Sequence, residues 1–98
     1  MAFKISFNRT ASSHLGAFKR YERNIILDGI EGHLTHEPTV ETKQRKKLRD
    51  NPLADWELRV DPFRIFYEVD ESENTVRILA IGIKDRARLL VGGKEFKL

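Results

Sequence analysis

The stretch Trp56-Glu57-Leu58-Arg59-Val60-Asp61-Pro62-Phe63-Arg64-Ile65-Phe66-Tyr67-Glu68-Val69 decides how this 98-residue chain is read. Apolar and polar side chains alternate from Trp56 to Val60, and again from Phe63 to Val69 with a single break at Phe66. Period-two alternation marks half-buried strands, and Asp61-Pro62 between the runs is a turn pair. The two runs therefore form a β-hairpin with Trp56, Leu58, Val60, Phe63, Ile65, Tyr67 and Val69 on the buried face. A one-residue slip would carry charge into the core, so the pattern specifies the register. It also sets Arg59 opposite Arg64 on the other face. Like charges paired this way cost a few tenths to about 1 kcal/mol, a cost that a bound anion would offset.

Working outward, Phe3, Ile5 and Phe7 alternate with Lys4 and Ser6, which predicts a first strand. Asn8, Thr10 and Ser12 offer helix N-caps, and Ala11, Leu15 and Phe18 follow at helical spacing. A second helix is expected from about Lys19 to Leu34. Its core stripe is Tyr21, Ile25, Ile26, Ile30 and Leu34, with Gly29 and Gly32 either allowing close packing or loosening the helix. Thr35 to Gln44 is a polar connection containing Pro38. After the hairpin come a turn, Asp70 to Asn74, and the strand Thr75 to Ile83. That strand is apolar on both faces, so it belongs at the centre of the sheet, covered on one side by the helices. The end, residues 84–98, reads as a short strand pair around Gly92-Gly93 or as a tail packed on the sheet. The expectation is one domain, residues 1–98, of the α+β class: an N-terminal strand, two helices, then an antiparallel meander forming one sheet with the helices on one face.

With 40% hydrophobic and 34% charged residues, the composition suits a soluble globular domain rather than a disordered chain. The absence of cysteine excludes disulfides, thiolate metal sites and cysteine nucleophiles. No secretory signal or membrane-length apolar run is present, which leads to the expectation of a cytoplasmic protein with no membrane partner. The net charge of +3 is unevenly placed: residues 1–42 hold five basic and five acidic side chains and cancel, whereas residues 43–98 hold thirteen and ten. The densest stretch, Lys43-Gln44-Arg45-Lys46-Lys47-Leu48-Arg49, carries five positive charges and no acid. Such a run serves either as a solvated face or as a polyanion contact.

The order of these segments resembles the RelE/ParE superfamily of bacterial toxin–antitoxin toxins. The likeness lies in Lys47-Leu48-Arg49, the Trp56-Glu57-Leu58-Arg59-Val60 strand, Phe63-Arg64-Ile65-Phe66-Tyr67-Glu68-Val69, and Ile78-Leu79-Ala80-Ile81-Gly82, in that order after a strand and two helices. The resemblance implies a RelE-like fold with a basic surface opposite the helices and a cognate antitoxin partner. It implies one of two activities, since the fold is shared by both branches. RelE-like members cleave mRNA on the ribosome without a metal and so inhibit translation. ParE-like members inhibit DNA gyrase. A catalytically degenerate binder and a plain RNA-binding module are further alternatives.

Metal-free cleavage through the 2′-hydroxyl needs a proton acceptor, cations on the crowded phosphate and a donor for the leaving oxygen. Arginine suits the second task, because its fork matches phosphate oxygens. By resemblance, Arg64, Arg59 and Lys84 are the expected catalytic cations, with Glu57 either a general base or an ion-pair partner of the arginines. Arg45, Lys46, Lys47, Arg49, Arg86 and Arg88 are expected RNA contacts. Phe66 is expected either to stack a nucleobase or to lie beneath the C-terminal segment. Leu90 stands near where relatives often carry a tyrosine, and Tyr67 and Tyr21 have core parity. His33 and His36, with Glu31 and Glu37 nearby, make only a weak metal signal, and His14 is expected away from the basic surface. No metal or cofactor is expected.

Overall fold

The structure, a computed structural model, describes residues 2–98. Its elements are β1 (Lys4–Phe7), α1 (Arg9–Ala17), α2 (Arg20–Leu34), β2 (Arg45–Lys47), β3 (Trp56–Val60), β4 (Phe63–Asp70), β5 (Thr75–Asp85), β6 (Arg88–Val91) and β7 (Lys94–Phe96). The sheet runs β2-β3-β4-β5-β6-β7, and β1 pairs with β5. The β1–β5 pair is parallel and every other pair antiparallel. This is the α+β architecture expected, and residues 84–98 take the strand-pair form.

The hairpin has the register that its alternation requires: Trp56 opposite Tyr67, Leu58 opposite Ile65, Val60 opposite Phe63, and Arg59 opposite Arg64. Its turn is Asp61-Pro62, joined by a cis peptide bond. Leu58, Ile65 and Tyr67 are fully buried against Ile26, Ile30 and Leu34 of α2 and Ala11 of α1, together with Val76, Ile78 and Ile81 of β5. The Tyr67 ring stacks on Trp56, and its hydroxyl donates to the Pro38 carbonyl at 2.7 Å, which pins the polar connection to the sheet.

Local chemistry starts and stops the helices. The Asn8 side chain accepts the Ala11 N–H at 2.7 Å, so of the three candidate caps Asn8 is the one used. Arg23 donates to the Phe18 carbonyl just past the end of α1, and Phe18 meets Phe63 edge-on at 5.4 Å. At the start of α2, the Glu22 carboxylate accepts the Lys19 N–H at 2.9 Å. Gly29 allows close packing: a Cβ there would sit 2.6 Å from Val60.

Two members of the expected α2 stripe are not core. Tyr21 is 63% and Ile25 42% exposed. The buried line is Ile26, Ile30 and Leu34, and at about 100° per residue Tyr21 and Ile25 fall on the far side of the helix from it. No helix is long and apolar enough to cross a membrane among the described residues.

The apolar character of both faces of β5 has a specific origin. Phe66 pairs with Ala80 but Tyr67 pairs with Ile78, so Leu79 is an extra residue, a β-bulge. Before it, Val76 and Ile78 belong to the helix-side core; after it, Ile81 and Ile83 do, and Ala80 turns to the opposite face. On that face Phe66, Ala80, Leu89 and Val91 form a second, smaller apolar cluster, covered by Leu48, Leu53, Ala54 and Phe96. The strand β2 lies inside the basic run, where three successive charged residues carry no alternation that would mark a strand.

Candidate functional site

The connection between β2 and β3 folds back over the sheet because Asn51 organises it. Its Oδ1 accepts the N–H groups of Leu53 (2.8 Å) and Ala54 (3.1 Å), and its amide nitrogen donates to the Arg49 and Ala54 carbonyls. This is an Asx-type closure, in which a short polar side chain substitutes for backbone partners. Leu53 and Ala54 thereby reach Phe66. Opposite, Leu89 of β6 and residues 95–98 make a second wall. Between the walls lies a cleft of about 810 Å³, with Glu57, Arg59, Arg64 and Lys84 among its lining residues.

Six cationic side chains line the cleft (Lys47, Arg49, Arg59, Arg64, Lys84 and Lys97) against three acidic ones (Asp50, Glu57 and Glu95). That imbalance equals the net charge of the whole chain, +3, so the remaining surface is neutral in sum and the positive field is gathered in one concavity.

Glu57 organises the arginine pair. It is the one buried charged residue among those described, at 6% exposure. Arg59 Nε donates to its Oε2 at 3.0 Å, and Arg64 Nε lies 3.9 Å from the same oxygen. One carboxylate thus sits between two guanidiniums that the register forces together, which relieves the like-charge cost of the pairing. The arginines are not equivalent. The Arg64 side chain is 12% exposed and also donates to Asp61 (2.8 Å) and the Phe63 carbonyl (3.0 Å). The Arg59 side chain is 43% exposed, and the Glu57 carboxylate is its one side-chain partner among the described residues.

Two backbone features complete the site. Gly82 is directly opposite Arg64, and a Cβ there would meet the Leu90 carbonyl at 2.5 Å. The Lys84 N–H donates to the Pro62 carbonyl at 2.7 Å, which fixes Lys84 beside the hairpin turn. Lys84 shares a face with Gly82 and Ala80, and this face is the cleft only because the bulge at Leu79 has shifted the phase of β5.

The other expected residues divide. Lys47 and Arg49 line the cleft, and Lys46 stands opposite Glu57 in register. Arg45 does not serve the cleft. Its guanidinium donates to the Val40 carbonyl (2.8 Å) and the His33 carbonyl (2.7 Å), tying β2 to the end of α2. Phe66 is fully buried beneath Leu53 and Ala54, so it presents no ring face to a nucleobase; it is covered, but by the loop as much as by the C-terminal segment. Arg86 occupies a positive-φ turn and Arg88 pairs with Glu95 at 3.4 Å; neither lines the cleft.

Leu90 does not line the cleft either, whereas Leu89, Phe96, Lys97 and Asp61 contribute to the cleft or to its arginines with no signal in the sequence to single them out. The run Leu89-Leu90-Val91 offers two parities, and only the pairing of Lys84 with Leu89 and of Leu89 with Phe96 selects one. Glu68, on the same strand as Arg64, pairs with Arg77 at 2.8 Å and not with the cleft arginines. Burial pushes the Tyr67 phenol up, which suits a core hydroxyl and not a proton donor. No group of three or more His, Asp and Glu side chains is placed to hold a metal ion among the described residues.

Solved structures share this fold. The toxin–antitoxin complex RelBE2 from Mycobacterium tuberculosis contains a chain 23% identical, with a TM-score of 0.74 over 86% of this chain and 93% of that one. The archaeal RelE–RelB complex from Pyrococcus horikoshii OT3 contains another, 20% identical, with a TM-score of 0.69 over 89% of this chain and all of that one. No curated protein sequence matches the chain. Residues 5–88 match the family described as the ParE toxin of type II toxin–antitoxin systems, parDE. With that match covering most of its length, and with the strand–helix–helix–meander order beneath it, the chain belongs to the ParE toxin family, within the RelE/ParE superfamily.

Proposed function

We propose that the toxin is a ribosome-dependent mRNA endoribonuclease whose cleft holds the scissile phosphate, and that a cognate antitoxin neutralises it. The observation that carries this reading is the convergence of Arg59, Arg64 and Lys84 on one cleft around the buried carboxylate of Glu57. In the reaction the substrate 2′-oxygen attacks the neighbouring phosphorus, and its proton passes to Glu57. Arg59 turns from Glu57 to the phosphate and, with Arg64, neutralises the charge that builds on its oxygens. Lys84 gives a proton to the 5′-oxygen as the P–O5′ bond breaks. The products are a 2′,3′-cyclic phosphate and a 5′-hydroxyl end. Lys47 and Arg49 on the rim hold flanking phosphates.

A translation assay that maps mRNA ends tests this. Wild type is expected to cut mRNA only when ribosomes are present, and Arg64→Ala to lower the rate by about 10²- to 10³-fold, the usual cost of removing one preorganised charge donor. Absence of ribosome-dependent cleavage by wild type overturns the reading. The ParE family match supports a second reading, in which the same scaffold inhibits DNA gyrase without chemistry. A supercoiling assay at toxin excess separates the two, because a non-enzymatic inhibitor keeps its effect in Glu57→Gln.

A further inference from the structure

On the edge of β5 away from β4, strand pairing is interrupted. β1 covers Thr75–Ile78 and β6 covers Gly82–Asp85, which leaves residues 79–81, the bulged residue and the two after it, with no strand on that side among the described residues. A side chain fills the gap. His14 of α1 places Nδ1 3.1 Å from the Ile81 backbone nitrogen and accepts its N–H. The other ring nitrogen lies against the β6–β7 turn, where a Cβ on Gly92 would sit 2.9 Å from Nε2. One imidazole therefore touches both the bulge that brings Lys84 onto the cleft face and the turn that carries the Leu89–Phe96 wall.

We propose that His14 is a positioning residue for the cleft: its neutral ring, accepting the Ile81 N–H, holds the phase of β5 and the seat of β6–β7, and protonation releases both. The chemistry allows one state only. An acceptor at Nδ1 requires the proton on Nε2, and an imidazolium would set N–H against N–H. Burial lowers the His14 pKa, in keeping with a ring held neutral. The hollow beside the ring is lined by Asn8, Thr10, Leu79 and Val91 among others, and its one other titratable group among the described residues is Lys94 of β7, which offers no negative charge to favour an imidazolium. Because the folded value lies below the ordinary one, the contribution is present above the unfolded pKa of 6.5 and is lost as the pH falls toward the folded value.

The inference about the cleft's response rests on the proposed RNA reading; the latch does not. Amide hydrogen exchange on the full chain reads the latch directly, with Val76 as an internal control for global opening. His14→Ala is expected to speed exchange at Ile81 by about tenfold or more while leaving Val76 little changed. His14→Asn, whose amide oxygen takes the place of Nδ1 without titrating, is expected to keep Ile81 protected. Nitrogen NMR of wild type at neutral pH is expected to show the proton on Nε2. Binding of a short single-stranded RNA with 2′-O-methyl sugars, at fixed ionic strength, is expected to weaken in wild type as the pH falls below the ordinary histidine value of 6.5, and to lose that dependence in His14→Asn. A proton on Nδ1, unchanged Ile81 exchange in His14→Ala, or an undiminished pH response in His14→Asn overturns the proposal. If wild type binds no free RNA at any pH while Ile81 exchange follows His14 as described, the latch is supported and its link to RNA affinity is overturned, whereas ribosome-dependent cleavage is judged by the translation assay alone.

Discussion

The two faces of the same sheet solve opposite problems. Toward the helices, Leu58, Ile65, Tyr67, Val76 and Ile78 are fully buried among side chains that are almost all hydrocarbon, and the single hydroxyl, that of Tyr67, is satisfied by Pro38. Toward the cleft, a small apolar cluster around Phe66 borders a set of charges held in tension by one carboxylate. The first face carries the stability of the domain through non-directional burial. The second spends some of it, forcing two arginines together and burying Glu57 between them. The hairpin belongs to both, residue by alternate residue, so substitutions one position apart test different things.

Leu58→Ala strikes the first face and is expected to have the largest effect on stability. Deleting a fully buried leucine costs about 2–5 kcal/mol, through lost burial and the cavity left behind. Urea unfolding followed by circular dichroism measures it; a loss below about 1 kcal/mol would mean that the helix-side core is far more yielding than its burial indicates.

Its neighbour tests the second face. Glu57→Gln keeps the shape and removes the charge that both arginines share. The expected cost is about 1–3 kcal/mol, since Arg64 keeps Asp61 and the Phe63 carbonyl, and Arg59 turns to water. The informative sign is in the anion response: freed of their carboxylate, the arginines should bind sulfate more tightly, so that added sulfate raises the Tm of the variant more than that of wild type. Equal sulfate responses would show that Glu57 does not restrain the pair.

The smallest effect sharpens the contrast within the pair itself. Arg59→Ala removes a half-exposed guanidinium but leaves the buried Glu57 carboxylate with only Arg64 at 3.9 Å, and is expected to cost about 1 kcal/mol. Removing a like charge opposite Arg64 offsets part of what is lost with Glu57. A cost comparable to that of Leu58→Ala would place Arg59 in the structural frame rather than in the working surface.

How far the residues could be read in advance varied with the physics at each place. The hairpin was legible to the individual pair, because period-two alternation over two runs leaves one register that keeps charge out of the core. The helices were legible in extent and, through Ala11, Ile26, Ile30 and Leu34, in much of their buried face, but not in its width. Tyr21 and Ile25 are apolar and helical in spacing, yet the sheet covers only the line through Ile26, Ile30 and Leu34. Arg45 was legible as a cation and not as a brace, since hydrogen bonds to the carbonyls of His33 and Val40 depend on where α2 ends in space. Phe66 shares parity with Arg64 but not its surroundings, because Asn51 folds the loop over one and not the other.

By itself, then, the sequence determined the strand–helix–helix–meander order, the two faces of the hairpin and the confrontation of Arg59 with Arg64. These follow from local periodicity, and any fold that buries one face must obey them. Only the tertiary structure decided which cations meet. A bulge has no compositional signature, and Leu79 sits unremarked in an apolar run; yet that one extra residue turns Lys84 from the helix side to the cleft. Pairing across long loops places the second wall and the basic run, and a ring from α1 closes the gap in β5. Those contacts join residues far apart in the chain, where period and propensity carry no information.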